Sequence, residues 1–261
     1  MQSIVLGPGE SRPIEGHAAE IKASTEDCDG RFAIFEATIG PDAGPPLHLH
    51  RRHLEAYYVV DGELEIRSGG GTIAAPAGSL ALAPPASPHT FSNPGPEPAR
   101  FFGFTAPGGL DHFLAGLGAI WGRPGPPDLQ ALGELMQRFD TAPVSGEPPD
   151  GPAATVVAPG EGDTLTIAGN TIVFKAEADD TGGAFGLVEY TAAPGFGGPP
   201  AHIHRETADN PGAEPARFLS LVSPGGFEQY FRDLAQTLGD GPVDGAAISK
   251  LVARYDFELV S

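Results

Sequence analysis

The stretch "HLHRRHLEAYYVVDG" (residues 48–62) combines three histidines and a glutamate with the pattern of a β-strand. His48 and His50 are two residues apart in a predicted strand, so their side chains point to the same face. Glu55 follows His50 by five positions, and the run "EAYYVV" is rich in aromatic and β-branched residues, which favour strands. The Asp-Gly pair that precedes "ELEIR" indicates a hairpin. The stretch therefore predicts antiparallel strands that carry a cluster of ligands.

Similar short apolar runs lie on both sides of this stretch, separated by segments rich in glycine and proline. The predicted strands are "RFAIFEATI", "EAYYVV", "GELEIR", "GTIAA", "SLALA" and "ARFFGFT". Several short strands at close spacing favour a barrel or a sandwich. Amphipathic helical segments follow the strands, so we predict a mainly β fold in which the helices lie outside the barrel or at an interface.

The chain contains an internal duplication. "NPGPEPARFFGFTAPGG" (93–109) aligns without gaps to "NPGAEPARFLSLVSPGG" (210–226), and 11 of the 17 positions are identical. Each copy continues into an amphipathic segment and then a second helical stretch, which ends in "MQRFD" (136–140) or "VARYD" (252–256). Upstream, "GPPLHLHR" matches "GPPAHIHR". The sequence therefore predicts two related domains.

The second copy is shorter than the first. His202 lies 154 positions after His48, whereas Asn210 lies only 117 positions after Asn93. Between these two anchors the second copy is therefore 37 residues shorter. The segment from roughly Leu54 to Phe91 has no counterpart there, so we predict that the second domain is incomplete.

We assign the complete domain to residues 1–146 and the truncated domain to residues 147–261, joined by the linker "SGEPPDGPA". The truncated copy keeps His202 and His204, but it has no glutamate at the equivalent spacing and no third histidine. Glu206 alone would complete only a poor site, so this copy is predicted to be structural. Its exposed strand edges need a cover, which either the first domain or a second chain in a homodimer would provide.

Composition limits the classes of function. The net charge of −19 repels phosphate backbones and anionic lipids, so we expect no nucleic-acid binding and no membrane binding. The single cysteine, Cys28, excludes an intrachain disulfide and fits a reducing compartment. The first ten residues lack the pattern of a signal peptide, and no apolar run approaches the roughly 18 residues that span a bilayer. We therefore expect a cytoplasmic protein.

A third histidine, His89, follows the proline-rich turn "APPASPH". Neutral imidazoles together with one carboxylate suit Mn, Fe, Co, Ni, Cu or Zn. Four protein ligands on a six-coordinate metal leave two positions open for water, substrate or dioxygen, which distinguishes a catalytic site from a closed structural one. His53 is offset by an odd number from the face of His48 and His50, so we expect it at the rim. His17 and His112 are expected to be ordinary surface histidines.

These spacings resemble the two motifs of the cupin superfamily. The first motif reads H-x-H, three or four residues, E, six residues, G, and here comprises His48, His50, Glu55 and Gly62. The second reads G, five residues, P-x-G, two residues, H, three residues, N, and here comprises Gly78, Pro84, His89 and Asn93. Ala86 replaces the middle glycine of the second motif, and Asp42 stands where the first motif begins with glycine. Neither departure affects a ligand.

The resemblance implies a duplicated cupin jelly-roll barrel with C-terminal helices after each copy and an incomplete second barrel. It also implies that one divalent transition metal (Fe, Mn, Ni, Co, Cu or Zn) binds inside the first barrel, with the ligands His48, His50, Glu55 and His89. The alternative is a barrel that keeps the histidines but binds no metal, or that binds a metal without catalysis.

Two copies followed by helices, with "PPLHLH" and "NPGPEPARF", are similar to quercetin 2,3-dioxygenase-like cupins. This likeness implies an oxidoreductase that uses dioxygen and a flavonol-like or other enolisable small molecule, with Glu55 as metal ligand and general base. The candidates for the substrate pocket, whose alternative role is core packing, are Phe35, Tyr57, Phe91 and Phe104. Two other functions remain open: an isomerase or decarboxylase that uses the metal as a Lewis acid, and a non-catalytic binding module.

Overall fold

The computed structural model describes five parts of the chain: residue 6 and residues 10–146, 151–196, 210–239 and 245–255. The chain divides into two compact units, unit 1 (Met1–Pro159) and unit 2 (Gly160–Ser261). Among the described residues, no helix is long and apolar enough to cross a membrane.

Within its described residues, unit 1 contains two antiparallel sheets. Their strands are β1 (Arg12–Pro13), β2 (Ala19–Ala23), β3 (Ala33–Ile39), β4 (His48–His50), β5 (Leu54–Asp61), β6 (Glu63–Ser68), β7 (Gly71–Pro76), β8 (Leu80–Ala83), β9 (His89–Ser92), β10 (Ala99–Ala106), β11 (Thr141–Pro143) and β12 (Thr155–Val157). The larger sheet has the order β1-β2-β3-β10-β5-β8-β12, and the smaller sheet has the order β11-β4-β9-β6-β7. Strand β12, which lies beyond the predicted domain boundary at residue 146, pairs with β8 of unit 1.

The prediction of a hairpin at the Asp-Gly pair is wrong. The turn at Asp61 and Gly62 does join β5 to β6, and Gly62 has the positive φ (74°) that favours glycine. However, β5 belongs to the larger sheet and β6 to the smaller one, where β6 lies between β9 and β7. The turn therefore carries the chain from one sheet to the other.

The register of the larger sheet places small side chains beside Glu55. Glu55 pairs with Thr105 of β10 and with Ala83 of β8, and Thr105 in turn pairs with Ala33 of β3. Directly paired residues point to the same face of a sheet. Glu55 is therefore flanked by two alanines and a threonine along this row of the sheet.

The next row of the same face is aromatic. Tyr57 pairs with Gly103, and Gly103 pairs with Phe35. A Cβ atom at Gly103 would lie 2.0 Å from Cζ of Phe35, so the glycine lets the Phe35 ring cross β10. Tyr57 and Phe35 belong to the hydrophobic core between the sheets, together with Leu64 of β6. Burial of such apolar side chains stabilises the barrel by roughly 25 cal/mol per Å² removed from water.

Two helices follow the barrel strands in unit 1, α1 (Leu110–Trp121) and α2 (Leu129–Arg138). The buried face of α1 joins the core through Phe113, Leu114 and Leu117. Helix α2 begins after Asp128, whose carboxylate accepts hydrogen bonds from two backbone N–H groups of the first turn. The chain then enters β11, which pairs with the histidine-bearing strand β4.

Unit 2 repeats part of this arrangement. Its elements are β13 (Thr164–Ile167), β14 (Asn170–Ala176), β15 (Gly186–Ala192), β16 (Ala216–Val222), α3 (Glu228–Leu238) and α4 (Gly245–Arg254). The sheet order β13-β14-β15-β16 corresponds to β1-β2-β3-β10 of unit 1, because β16 pairs with β15 as β10 pairs with β3. The predicted mainly β fold, with helices after the strands, is confirmed. The predicted loss of 37 residues falls between β15 and β16, where residues 197–209 are outside the described part, so the incomplete barrel stays a prediction.

The repeated segment of the two copies forms the same turn in both units. The Asn93 side-chain amide donates to the Glu97 carbonyl (2.8 Å), and its Oδ1 accepts from Gly95 N (2.9 Å). Asn210 likewise donates to Glu214 O (2.8 Å) and accepts from a backbone N–H two residues later. This last residue of the second motif thus holds a turn.

A buried acid after each repeated segment also has the same role in both units. Asp111 accepts hydrogen bonds from the Thr25 backbone N (2.9 Å) and hydroxyl (2.5 Å). Glu228, which is 117 positions later, accepts from the backbone N of Ala178 (2.8 Å). Both acids therefore fix a loop of the fold.

The two departures from the cupin motifs occur where the backbone is left-handed. Asp42 has φ 58° and Ala86 has φ 63°. Glycine adopts this conformation without steric cost, whereas other residues are disfavoured there. The left-handed backbone explains why the motifs have glycine at these two positions. This chain keeps the same backbone conformation, but with Asp42 and Ala86 in place of glycine.

Candidate metal centre

The four predicted ligands come together between the two sheets of unit 1. His48 and His50 lie on β4, and His89 lies on the neighbouring strand β9, where it pairs directly with His48. Glu55 lies on β5 of the opposite sheet. His50, Glu55 and His89 are buried, and the side chain of His48 is 12% exposed. The centre is therefore closed on most sides and most accessible at His48.

The ligand atoms converge on Glu55. Its Oε1 lies 3.3 Å from His50 Nε2, and its Oε2 lies 3.0 Å from His89 Nε2 and 3.9 Å from His48 Nε2. One ligand atom from each of the four residues lies within 4.8 Å of all the others. Metal–nitrogen bonds of about 2.0–2.1 Å place ligands on opposite sides of an ion about 4.2 Å apart. The donor set therefore has the dimensions of a metal site.

Each histidine is anchored through its other ring nitrogen. Nδ1 lies 2.8 Å from the Pro46 carbonyl in His48, 3.3 Å from the Asp140 carbonyl in His50 and 2.9 Å from the Ser87 carbonyl in His89. A carbonyl oxygen only accepts hydrogen bonds, so Nδ1 carries the hydrogen. In the neutral form of each ring the lone pair is consequently on Nε2, which faces the centre. His89 Nε2 is also within hydrogen-bond distance of Glu55 Oε2, at 3.0 Å.

Among the described residues, His50 Nε2 is buried and has no hydrogen-bond partner. Its 3.3 Å approach to Glu55 Oε1 lacks hydrogen-bond geometry. An unpartnered buried polar atom costs free energy, and a cation between His50 and Glu55 would satisfy both atoms. The residues present therefore fit a divalent metal ion.

The protonation states suit this interpretation. Burial lowers the pKa of His48 to about 4, so its ring is neutral near pH 7. Burial also acts to lower the pKa of His50, but the Glu55 carboxylate outweighs this effect and raises it. The carboxylate thus favours a positive partner beside His50, and a metal cation fills that role as well as a proton does.

Glu55 is held as a carboxylate by its neighbours. Burial acts to raise the pKa of Glu55, but His50 and His89 outweigh burial and hold it well below the usual range. The Tyr57 hydroxyl donates a hydrogen bond to Glu55 Oε2. Burial, together with the Glu55 charge, raises the pKa of Tyr57 well above its normal value, so Tyr57 keeps its proton. One oxygen of Glu55 is therefore already bound.

The structure brings together three of the four aromatic residues predicted for the pocket. The Tyr57 and Phe91 ring centroids are 4.8 Å apart, and Phe35 joins them through Phe101, at 6.2 Å from Phe35 and 5.1 Å from Phe91. Phe104 is an odd number of residues from Phe101 on β10, so it lies on the opposite face of the strand. Phe101 was not predicted, because the run "ARFFGFT" does not show which alternate side chains face inward.

The other described histidines are not part of this group of four, although the His53 ring lies beside that of His50, with 6.0 Å between their centroids. His53 has a mostly buried side chain whose Nδ1 lies 3.5 Å from Asp140 Oδ2. His17 Nδ1 accepts a hydrogen bond from Ala19 N (3.0 Å). His112 is half exposed and pairs with the exposed Glu26 at 2.8 Å. His202, His204 and Glu206 are outside the described residues.

Sequence reasoning missed two residues near the centre. Asp140, whose carbonyl faces His50, comes 51 positions after His89. Thr105 is 1% exposed, pairs with Glu55, and its hydroxyl has no partner among the described residues. The endings "RFD" and "RYD" show that Asp140 lies in a repeated segment, but they do not indicate that it contacts His50.

Comparisons with known proteins agree with this fold. Residues 35–105 match the sequence model of the cupin domain. A search of curated proteins found no match. Two solved structures of Bacillus subtilis oxalate decarboxylase are each 15% identical in sequence. One, a single-residue variant, covers 86% of this chain and 79% of its own with a TM-score of 0.53. The other comes from work on that enzyme's Mn(II) centres. Its alignment covers 83% of this chain and 75% of the oxalate decarboxylase chain, with a TM-score of 0.51.

A third solved structure, a protein from Thermus thermophilus, is 28% identical over 30% of this chain and 74% of its own, with a TM-score of 0.29. At 15% identity, the likeness to oxalate decarboxylase establishes the fold alone. The domain match, the antiparallel sheets and the position of the four ligand side chains lead to one conclusion. Residues 35–105 match the cupin domain, and the mainly β fold is that of a cupin jelly roll.

Proposed function

We propose that this protein is a metal-dependent cupin enzyme that acts on a small molecule. His48, His50, Glu55 and His89 hold one divalent transition metal. The observation that carries the proposal is the convergence of three Nε2 atoms on a buried carboxylate, with every Nδ1 anchored on a carbonyl. A purely structural cluster of histidines would not need each ring fixed in the same tautomer.

When bound, such a metal supplies a positive charge that polarises an oxygen of the substrate. The four residues leave two positions of a six-coordinate ion for other ligands. Small molecules reach the centre from the side of His48, the most exposed of the four side chains. The small side chains beside Glu55 leave more room there than in the aromatic row that follows.

The first reaction class we propose is dioxygenation of a flavonol-like or other enolisable compound. Glu55 then accepts the proton of the substrate hydroxyl, and Tyr57 and Phe91 line the substrate. Because Tyr57 donates to Oε2 and Oε1 faces the position of the metal beside His50, Glu55 accepts this proton at Oε2 after Tyr57 turns away. The low pKa of Glu55 makes it a good ligand and a weak base.

This weak basicity favours a second candidate. In an isomerase or a decarboxylase that uses the metal only as a Lewis acid, Glu55 serves as a ligand and no proton transfer to it is required. The likeness to a manganese-containing oxalate decarboxylase is one of fold and does not select this chemistry. A non-catalytic binding barrel is the third outcome to be tested.

The first experiment is the metal content of protein purified without added metal, measured by mass spectrometry of the elements. We expect about one ion per chain, lost in His50→Ala. Folded protein that stays empty when divalent metals are added would refute the metal-dependent proposal. Dioxygen consumption with a panel of flavonols and enolisable acids then separates the two reaction classes. Binding of these compounds without turnover would identify a binding module.

A further inference from the structure

Asp140 lies where α2 leads into β11, 35 residues beyond the end of the cupin-domain match. It is 8% exposed and has a left-handed backbone, with φ 55°. Aspartate tolerates this conformation better than most residues do. Both the carbonyl and the carboxylate of Asp140 make contacts with the segment that carries the ligands.

The backbone side of Asp140 orients His50. Its carbonyl oxygen lies 3.3 Å from His50 Nδ1, and the next residue, Thr141, places its hydroxyl 3.5 Å from the same nitrogen. Thr141 also pairs with His50 in the ladder between β11 and β4. Strand β4 has only three residues, so β11 and β9 on its two edges fix its position.

The carboxylate of Asp140 holds the loop between two ligands. Oδ2 accepts a hydrogen bond from the Arg52 backbone N (2.7 Å) and lies 3.5 Å from His53 Nδ1. Residues 51–53 connect β4, which carries His50, to β5, which carries Glu55. These strands belong to different sheets, so this loop sets the distance between the two ligands.

We propose that Asp140 is a positioning residue of the metal centre, and that β11 is part of the site although it lies outside the cupin-domain match. The inference rests on the proposed metal binding by His48, His50, Glu55 and His89. Asp140 fixes the tautomer and direction of His50 through its carbonyl, and the spacing of His50 and Glu55 through its carboxylate. Partners of metal ligands act on affinity in this way.

The chain offers a matched control. Asp111 is also a buried aspartate of unit 1, at 7% exposure, and it also accepts a hydrogen bond from a backbone N–H, that of Thr25 at 2.9 Å. Its side-chain partners, Thr25 and His112, are not among the four ligands. Because Asp111, His112 and Glu26 form another group of described residues that could hold a metal ion, all the proteins compared carry Glu26→Ala. Asp140→Ala and Asp111→Ala each remove a buried carboxylate, so both are expected to lower Tm.

The experiment measures Co(II) binding to the full-length chain by competition with a chromophoric chelator, and records the visible spectrum of the bound Co(II). We expect Asp140→Ala to weaken Co(II) binding by about 10- to 100-fold and to change the spectrum. Asp111→Ala is expected to leave both unchanged. Both variants keep the main-chain carbonyl that faces His50, but Asp140→Asn also keeps a side-chain oxygen that can accept the hydrogen bond from Arg52 N, so it should lose less affinity. If Asp140→Ala does not fold, Asp140→Asn decides by the same comparison with Asp111→Asn.

Unchanged affinity and spectrum in Asp140→Ala would overturn the inference and leave the proposed function in place. An equal loss of affinity in Asp111→Ala would also overturn it, since general destabilisation would then explain the effect. Protein with Glu26→Ala alone that binds no Co(II) would refute the metal centre itself, and the positioning role with it.

Discussion

Ala86 provides a direct test of how the backbone around the centre is stabilised. It occupies the glycine position of the second cupin motif with φ 63°, and its backbone N donates to the His50 carbonyl at 2.6 Å. The residue is exposed, so its methyl group has little packing to lose. We predict that Ala86→Gly stabilises unit 1.

The magnitude follows from two opposing terms. Relief of the left-handed strain on a residue with a Cβ is worth about 1–2 kcal/mol. The greater freedom of glycine in the unfolded chain costs about 0.4–1 kcal/mol. The net gain in the free energy of unfolding is therefore about 0.5–1 kcal/mol, or a rise in Tm of about 1–4 °C for a protein of this size.

Urea unfolding followed by tryptophan fluorescence reports on unit 1, because the single tryptophan, Trp121, lies at the end of α1. The control is Ala77→Gly. Ala77 is an exposed turn residue whose N–H is also bonded to a carbonyl, that of Gly62, and it is not among the residues with positive φ. Ala77→Gly should lower the free energy of unfolding. A comparable loss in Ala86→Gly would refute the argument from strain.

Three further predictions concern buried polar groups. Thr105→Val should raise Tm of the metal-free protein by about 2–4 °C, because it replaces a buried hydroxyl that lacks a partner among the described residues with a methyl group; a lower Tm would reveal a bound water or another partner. Tyr57→Phe should lower the free energy of unfolding of the metal-free protein by about 1.5–3 kcal/mol, since it removes a hydrogen bond to the Glu55 carboxylate. Urea titration tests this, and an unchanged midpoint would contradict it. Burial raises the pKa of Cys28 to about 11, so at pH 8 only about one thiol in a thousand is ionised. Iodoacetamide should therefore alkylate the native protein about 100 times more slowly than the urea-unfolded protein, and equal rates would show that the thiol is accessible and normal.

The sequence was sufficient for the features that depend on local pattern. The alternation in "ELEIR" predicts a strand, and in β6 the alternate residues Leu64 and Ile66 are buried. The spacing of His48, His50, Glu55 and His89 singled out the four side chains that the structure brings together. Such patterns are visible because each is a property of a few neighbouring residues.

Features that depend on long-range register were not accessible. The Asp-Gly turn has the local chemistry of a hairpin, and only the pairing of β6 with β9 shows that it changes sheets. Strands β11 and β12 have three residues each and no apolar alternation, so only their partners define them. Phe101 and Phe104 are equivalent in the sequence, and only the pairing of β10 with its neighbours shows which one joins the aromatic row. The contact of Asp140 with His50 spans 90 positions and needs the whole fold.

The late position of β11 has a consequence for synthesis of the chain. His89 is the last of the four proposed ligand residues to be synthesised, and Asp140 follows it by 51 residues. At roughly 5–20 residues per second, translation of this interval takes roughly 3–10 s. During that time the nascent chain carries every ligand but not the carbonyl that orients His50. If the proposed centre binds its metal, an ion that arrives during this interval meets a site in which His50 is not yet oriented by Asp140.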